Sequence, residues 1–257
     1  MAELLLFAFV LMAIWMTGLW IIAEKRGEAD IVDAGWAAGI GIVACFYAVL
    51  GTGDSVRRLV LAILVSVWSA RLALYIFKRV LEPGEDGRYA TLRAAWGSGA
   101  RGKFFLFFQM QGALVALLSI PFLAVVISDK PFGSVFDYIA IALSSISIIG
   151  ESISDRQLAL FRADASNRGK VCERGLWAYS RHPNYFFEWF HWLSYVFLAV
   201  GSPLFIISPL SAIMVLFLIL KVTGIPPTEE RAIQSRGDAY RDYQRRVSAF
   251  VPWFRRS

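Results

Sequence analysis

Residues 175–200 read "GLWAYSRHPNYFFEWFHWLSYVFLAV". The stretch opens polar and basic, then runs into mostly apolar or aromatic residues while carrying Arg181, His182, Asn184, Glu188 and His191. Pro183 suits a first helical turn, where its missing N–H is not needed. From that start Arg181, Asn184 or Tyr185, Glu188, Trp192 and Tyr195 recur at three- and four-residue spacing and share a face. The pattern predicts a helix entering an apolar medium from a polar mouth. Its polar stripe either glues helices together or lines a site.

The rest of the chain says what that medium is. Of 257 residues 57% are hydrophobic and only 18% charged, with a mean hydropathy of +0.56; a soluble domain of this length needs more charge to cover its surface. Seven apolar blocks emerge, at Leu4–Ala23, Ile31–Leu50, Leu59–Phe77, Phe104–Ile127, Val135–Gly150, Tyr185–Val200 and Leu204–Val222. Most are long enough to cross a hydrocarbon core of about 30 Å. The fifth and sixth are short and need flanks such as Asp137–Tyr138 or Arg181–Asn184 to extend them. In lipid each span must satisfy its own backbone, so all are expected to be helical. The expected fold is therefore all-α: a polytopic membrane protein of about seven transmembrane helices in one domain, 1–257. The first block lacks a basic leader and a small-residue cleavage pattern, and reads as a retained helix.

With the N-terminus outside, the inner loops 24–30, 78–103 and 151–184 and the tail from Lys221 hold 22 Lys and Arg residues, against three in the outer loops. That bias predicts a cytoplasmic C-terminus, in an integral protein of a bacterial inner membrane. The net charge of +6 then reports orientation and contact with anionic membrane lipids. No nucleic-acid reading module accompanies it, and no obligate protein partner is expected. Cys45 and Cys172 have no metal or disulfide spacing. With two histidines and no HExxH, no metal is expected; His182 reads as a cap or hydrogen-bond donor.

Charges in or near apolar blocks are the first functional candidates, because they face a polar cavity or sit near the interface. They are Asp33, Arg71, Glu151, Asp155 and Glu188. Asp33 starts its block; Arg71 lies deeper, and pairing with a carboxylate such as Asp33 or Glu188 is expected. The loop before Pro183 adds Asp155, Arg162, Asn167, Arg168, Lys170 and Arg174, which suit phosphate oxygens and amides at a helix N-terminus. The tail, "GIPPTEERAIQSRGDAYRDYQRRVSAFVPW", alternates Tyr240 and Tyr243 with Arg245 and Arg246. It reads either as a basic amphipathic segment on the membrane face or as a lid over a nucleotide. No GxGxxG with strand context and no Walker sequence is present, so a nucleotide site has to be built from helix ends and loops.

"GLWAYSRHPNYFFEW" together with "IPPTEERAI…GDAYRDYQRRVSAFVPW" resembles the DUF1295 family, within the steroid 5-alpha-reductase C-terminal superfamily; "ADIVDAGWAAG" and "GEDGRYATLRAAWG" extend the likeness into the first half. The resemblance implies a seven-helix membrane reductase that uses NADPH, bound on the cytosolic side, to reduce a carbon–carbon double bond conjugated to a ketone. A lipophilic, steroid-like substrate would enter from the bilayer. It also implies cofactor contacts from Asp155, Arg162, Asn167, Arg181, Asn184 and Glu188, with Tyr179, Tyr240, Tyr243 and Arg246. Steroid reductases polarise the ketone with a Glu of the second helix and a Tyr of the third. Here the second block's acid is Asp33 and the third block's tyrosine is Tyr75, which stand as the catalytic candidates. The family glycine between Phe and Glu is Phe187. Membrane methyltransferases that use S-adenosylmethionine share "RHPNY" and the tail pattern, so that class stays open beside a non-enzymatic lipid-binding role.

Overall fold

The computed structural model describes residues 1–255, all of whose regular elements are helical. Six helical stretches are long and apolar enough to cross a membrane: Ala2–Arg26, Ile31–Leu50, Ser55–Val80, Gly87–Val126, Val135–Ala163 and Phe205–Arg236. The block expected at Tyr185–Val200 forms a helix of 16 residues, Pro183–Leu198, short of the roughly 20 a span needs. Apolar side chains such as Leu6, Val10 and Ile14 on the first helix, and Leu59, Ile63 and Val67 on the third, point outward. An exposed apolar face on long apolar helices is what lipid requires. The chain divides into two compact units.

The first unit comprises Met1–Ser134 and Leu198–Ser211. In it α1 (Ala2–Arg26) packs on α5 (Ala100–Leu118), and α2 (Ile31–Leu50) on α3 (Ser55–Val80). Lipid offers no hydrophobic drive between helices, so close approach of small residues supplies the packing. At Gly41 an added Cβ would sit 2.6 Å from Ser69 Oγ. The Gly41 N–H instead donates to that hydroxyl, which donates on to the Ala37 carbonyl at 2.6 Å. The fourth block is not one continuous helix. It breaks at Ser119 between α5 and α6 (Ile120–Val126), where Pro121 has no N–H to continue the helical ladder; Ser119 Oγ donates to the Ala116 carbonyl. Ahead of it lies α4 (Gly87–Trp96), capped by Asp86, whose side chain accepts from the Arg88 N–H.

The second unit comprises Val135–Phe197 and the chain from Ala212. Its α7 (Val135–Ala163) buries Asp137, Ala140, Ser144, Ser147, Gly150, Glu151, Ser154 and Asp155, a helical face that is mostly polar. Against it lies α8 (Pro183–Leu198): Ser147 Oγ donates to the Phe187 carbonyl, and Ser144 Oγ lies 3.3 Å from His191 Nδ1. Beyond α9 (Pro209–Phe217) a π-helical turn, Leu218–Val222, runs to Gly224, where a Cβ would meet the Ile219 backbone at 2.6 Å. Two prolines then open α10 (Ile225–Arg236), and Gly237 at φ 57° turns the chain into α11 (Asp238–Arg246).

Candidate functional site

The second unit folds its tail back on the loop that precedes α8. A single parallel bridge joins Ser180 to Ser248, with the Arg181 N–H donating to the Ser248 carbonyl at 2.8 Å. Ser180 Oγ donates to the Phe250 carbonyl and the Trp253 N–H to the Tyr179 carbonyl. Tyr243 Oη donates to the Trp177 carbonyl, and Trp177 Nε1 to the Ser154 carbonyl of α7. Gly175, at φ 59°, lets the loop pass the Gln157 side chain with no Cβ to collide with it. Loop, tail and α7 therefore form one hydrogen-bonded body.

Glu229 of α10 is its charged hub. It accepts from Arg181 Nε at 2.6 Å, Gln244 Nε2 at 2.7 Å, His182 Nε2 at 3.2 Å and Tyr240 Oη at 3.5 Å. Arg181 spends its remaining reach on the Gln244 and Val247 carbonyls, at 3.0 and 2.6 Å. Burial pushes the His182 imidazole below its ordinary 6.5, against the opposing pull of Glu229. Burial first, then neighbouring acids, raises the Tyr240 and Tyr243 phenols, so both stay neutral donors. Arg246 closes a second pair, its guanidinium reaching Glu173 at 3.0 and 3.1 Å and Asp242 at 3.0 Å.

This arrangement sorts the expected cofactor residues. Arg181 and Tyr240 meet at Glu229, Tyr243 bonds the Trp177 carbonyl, and Arg246 pairs with Glu173 and Asp242, so each has a partner within the protein. Asn167 caps the end of α7 through the Phe161 carbonyl. Tyr179 is about half exposed, Asp155 lies on the buried face of α7, and Glu188 is half-buried one turn along α8 from Asn184. Asn184 differs: its Oδ1 is buried and has no hydrogen-bond partner among the described residues. Such an acceptor is costly to leave unmade. The side chains of Arg162, Arg168, Lys170 and Arg174 are exposed, and Arg162 and Arg174 both act electrostatically on Cys172, whose thiol burial pushes up. The loop thus holds exposed cations distinct from the structural arginines.

One group escaped the sequence reading. Glu229 was legible only as a helix-starting acid, since nothing linear links it to Arg181, 48 residues away. Phe187, where the family pattern has glycine, lies flat over Gly150 of α7, so that a methyl on Gly150 would overlap its ring.

In the first unit, Asp33 starts α2 and accepts from Arg88 Nη2 at 2.7 Å and Tyr89 Oη at 2.6 Å. Asp33, one of the two carboxylates expected for Arg71, is engaged by Arg88, which α4 delivers. The tyrosine that reaches Asp33 is Tyr89, whereas Tyr75 sits on α3. Among the described residues no group of His, Cys, Asp and Glu is arranged to hold a metal.

Among the described residues every regular element is helical and six helices are long and apolar enough to cross a membrane, which is compatible with an integral membrane protein. Residues 19–247 match the family described as "Protein of unknown function (DUF1295)", and the chain belongs to that family. An uncharacterized protein of Schizosaccharomyces pombe (strain 972 / ATCC 24843) is similar: 25% identical over 262 residues, covering 91% of this chain and 75% of that protein. No solved structure matches the chain.

Proposed function

We propose that the protein is an NADPH-dependent reductase of a carbon–carbon double bond conjugated to a ketone in a steroid-like or other lipophilic substrate. The observation that carries this reading is the orphaned Oδ1 of Asn184 at the start of α8. A nicotinamide carboxamide is a buried N–H donor of the kind that oxygen lacks, and Glu188 one turn on offers a second acceptor. The exposed Arg162, Arg168, Lys170 and Arg174 suit the three phosphates of NADPH. NADPH supplies the hydride when bound. The chain's part is to orient the ring through Asn184 and Glu188, to exclude water, and to donate a hydrogen bond to the ketone oxygen as negative charge develops there. Of the two candidates that the family resemblance offers for that donor, Asp33 has its carboxylate engaged by Arg88 and Tyr89; Tyr75 is kept on the resemblance alone. The same reading takes α8 as the seventh membrane helix, with the N-terminus outside and the loop and tail in the cytoplasm, as the cation bias supports.

A membrane methyltransferase using S-adenosylmethionine is the competing reading, favoured by the engagement of Arg181 and Arg246 with Glu229 and Glu173, because that cofactor has no phosphate to neutralise. The test is NADPH consumption by the purified protein in detergent, with 4-ene-3-oxo steroids and then polyprenyl enones. Turnover of either class is expected. Absence of both NADPH binding and turnover would overturn the proposal.

A further inference from the structure

The first unit contains a polar cavity of about 150 Å³ where the start of α2 meets the end of α3 and the turn into α4. Its ionisable walls are Asp30, Asp33, Arg79, Glu82, Asp86 and Arg88. The two arginines are already matched: Arg88 with Asp33 at 2.7 Å and Asp86 at 3.1 Å, and Arg79 with Asp86 at 3.0 Å. Asp30 and Glu82 are left over, and among the described residues neither side chain forms an ion pair with a cation of the protein. Asp30 is only 7% exposed, and its Oδ1 is buried without a hydrogen-bond partner. Glu82 is at the open side. Gly84, at φ 98°, keeps the turn free of side-chain bulk, with nothing within 4 Å of where a Cβ would lie.

A wall of four carboxylates and two committed guanidiniums wants one more positive charge. A metal is a poor match, because no three ligating groups converge among the described residues. At about 30 Å³ of liquid volume per water, the space corresponds to roughly five waters, enough for a charged amine on a short stem. We propose that this cavity binds a primary ammonium group of the ethanolamine type, whose N–H bonds satisfy Asp30 Oδ1 and whose charge is shared with Glu82. A quaternary ammonium carries the same charge but no N–H, and leaves Oδ1 unpaired. Burial, with Glu28 and Glu85 nearby and Arg26 opposing, raises the Asp30 carboxyl. A bound cation favours the ionised carboxylate, so binding weakens as pH falls into the range where that carboxyl protonates. The amine could be free in solution or the headgroup of a phosphatidylethanolamine; the chemistry is shared and the test separates the two.

The test uses the full chain purified in detergent, titrated by calorimetry with ethanolamine and with choline. A parallel arm reconstitutes it in nanodiscs of phosphatidylethanolamine or phosphatidylcholine and reads retained lipid by native mass spectrometry. Ethanolamine is expected to bind saturably, at least tenfold tighter than choline; Asp30→Asn loses at least tenfold in affinity. Glu82→Gln, on the open side, weakens binding several-fold and covers the case in which the Asp30 variant fails to fold. Selective retention of phosphatidylethanolamine without response to free ethanolamine, abolished by either variant, supports the proposal and makes a lipid the source. Equal affinity for ethanolamine and choline, no binding in either arm, or binding unchanged by both variants overturns it. No readout involves NADPH, so the outcome is separate from that of the reductase reading.

Discussion

Replacing Arg181 with methionine keeps the aliphatic stem and deletes three hydrogen bonds, to Glu229 Oε1 at 2.6 Å and to the Gln244 and Val247 carbonyls at 3.0 and 2.6 Å. The two charged side chains are only 10% and 15% exposed. Removing one partner of a buried pair costs about 3–5 kcal/mol, because the other charge is stranded. Glu229 keeps Gln244 at 2.7 Å and His182 at 3.2 Å, which places the expected cost near the lower limit. A loss of about 3 kcal/mol lowers the Tm of a protein this size by roughly 6–12 °C. Because Arg181 pins the end of α11, the damage should concentrate in the tail, where Arg241, Arg245 and Arg246 become trypsin sites. Thermal melts by circular dichroism and a trypsin time course in detergent read both effects. Adding Glu229→Gln should recover part of the loss, since the stranded charge is then gone. A melt and a digestion pattern unchanged in Arg181→Met would refute the assignment of Arg181 as a structural clasp.

Further outcomes follow from the same geometry. Gly150→Ala should cost about 1–3 kcal/mol by overpacking against Phe187, and much less in a Phe187→Ala background; a thermal-melt double-mutant cycle with no coupling would remove that contact from the account. Because the His182 value is depressed in the fold, the unfolded chain binds more protons below about 6.5, so stability is full above that pH and falls as pH drops through it. Melts across that window should lose part of their slope in His182→Asn. Arg162→Ala and Arg174→Ala should each leave the melt within about 0.5 kcal/mol of wild type while weakening NADPH binding in a salt-dependent way; calorimetry at two ionic strengths checks both.

The sequence carried much of the fold, for identifiable reasons. Long apolar blocks leave helix as their only way to pair a backbone in lipid, so Ile31–Leu50 matches α2 residue for residue. The break at Ser119 was present as Pro121, but the surrounding apolar run masked it. Cation counts give an expected inner side, but they cannot say which of those cations are exposed and which are held by partners. Arg162 and Arg181 look alike in sequence, yet one is exposed and the other is locked by Glu229 and two carbonyls. That distinction depends on a tail folding back over the loop, a long-range event with no local periodicity. Asp33 likewise advertised itself as an acid in an apolar block, while its actual partners, Arg88 and Tyr89, come from a short helix 55 and 56 residues away. The orphan acceptors of Asn184 and Asp30 became visible only once their neighbours were in place, because an unmade hydrogen bond leaves no trace in a sequence.

The central claim rests on Asn184, and one paired titration addresses it most directly. Wild type and Asn184→Ala are titrated with NADPH and with S-adenosylmethionine by calorimetry, beside a thermal melt of each. The account predicts that wild type binds NADPH, and that the variant binds it about tenfold or more weakly, the worth of one buried hydrogen bond. The variant should melt at or slightly above the wild-type temperature, since an unpaired buried oxygen has been removed. Tight S-adenosylmethionine binding with no NADPH response, or NADPH affinity indifferent to Asn184, would contradict it.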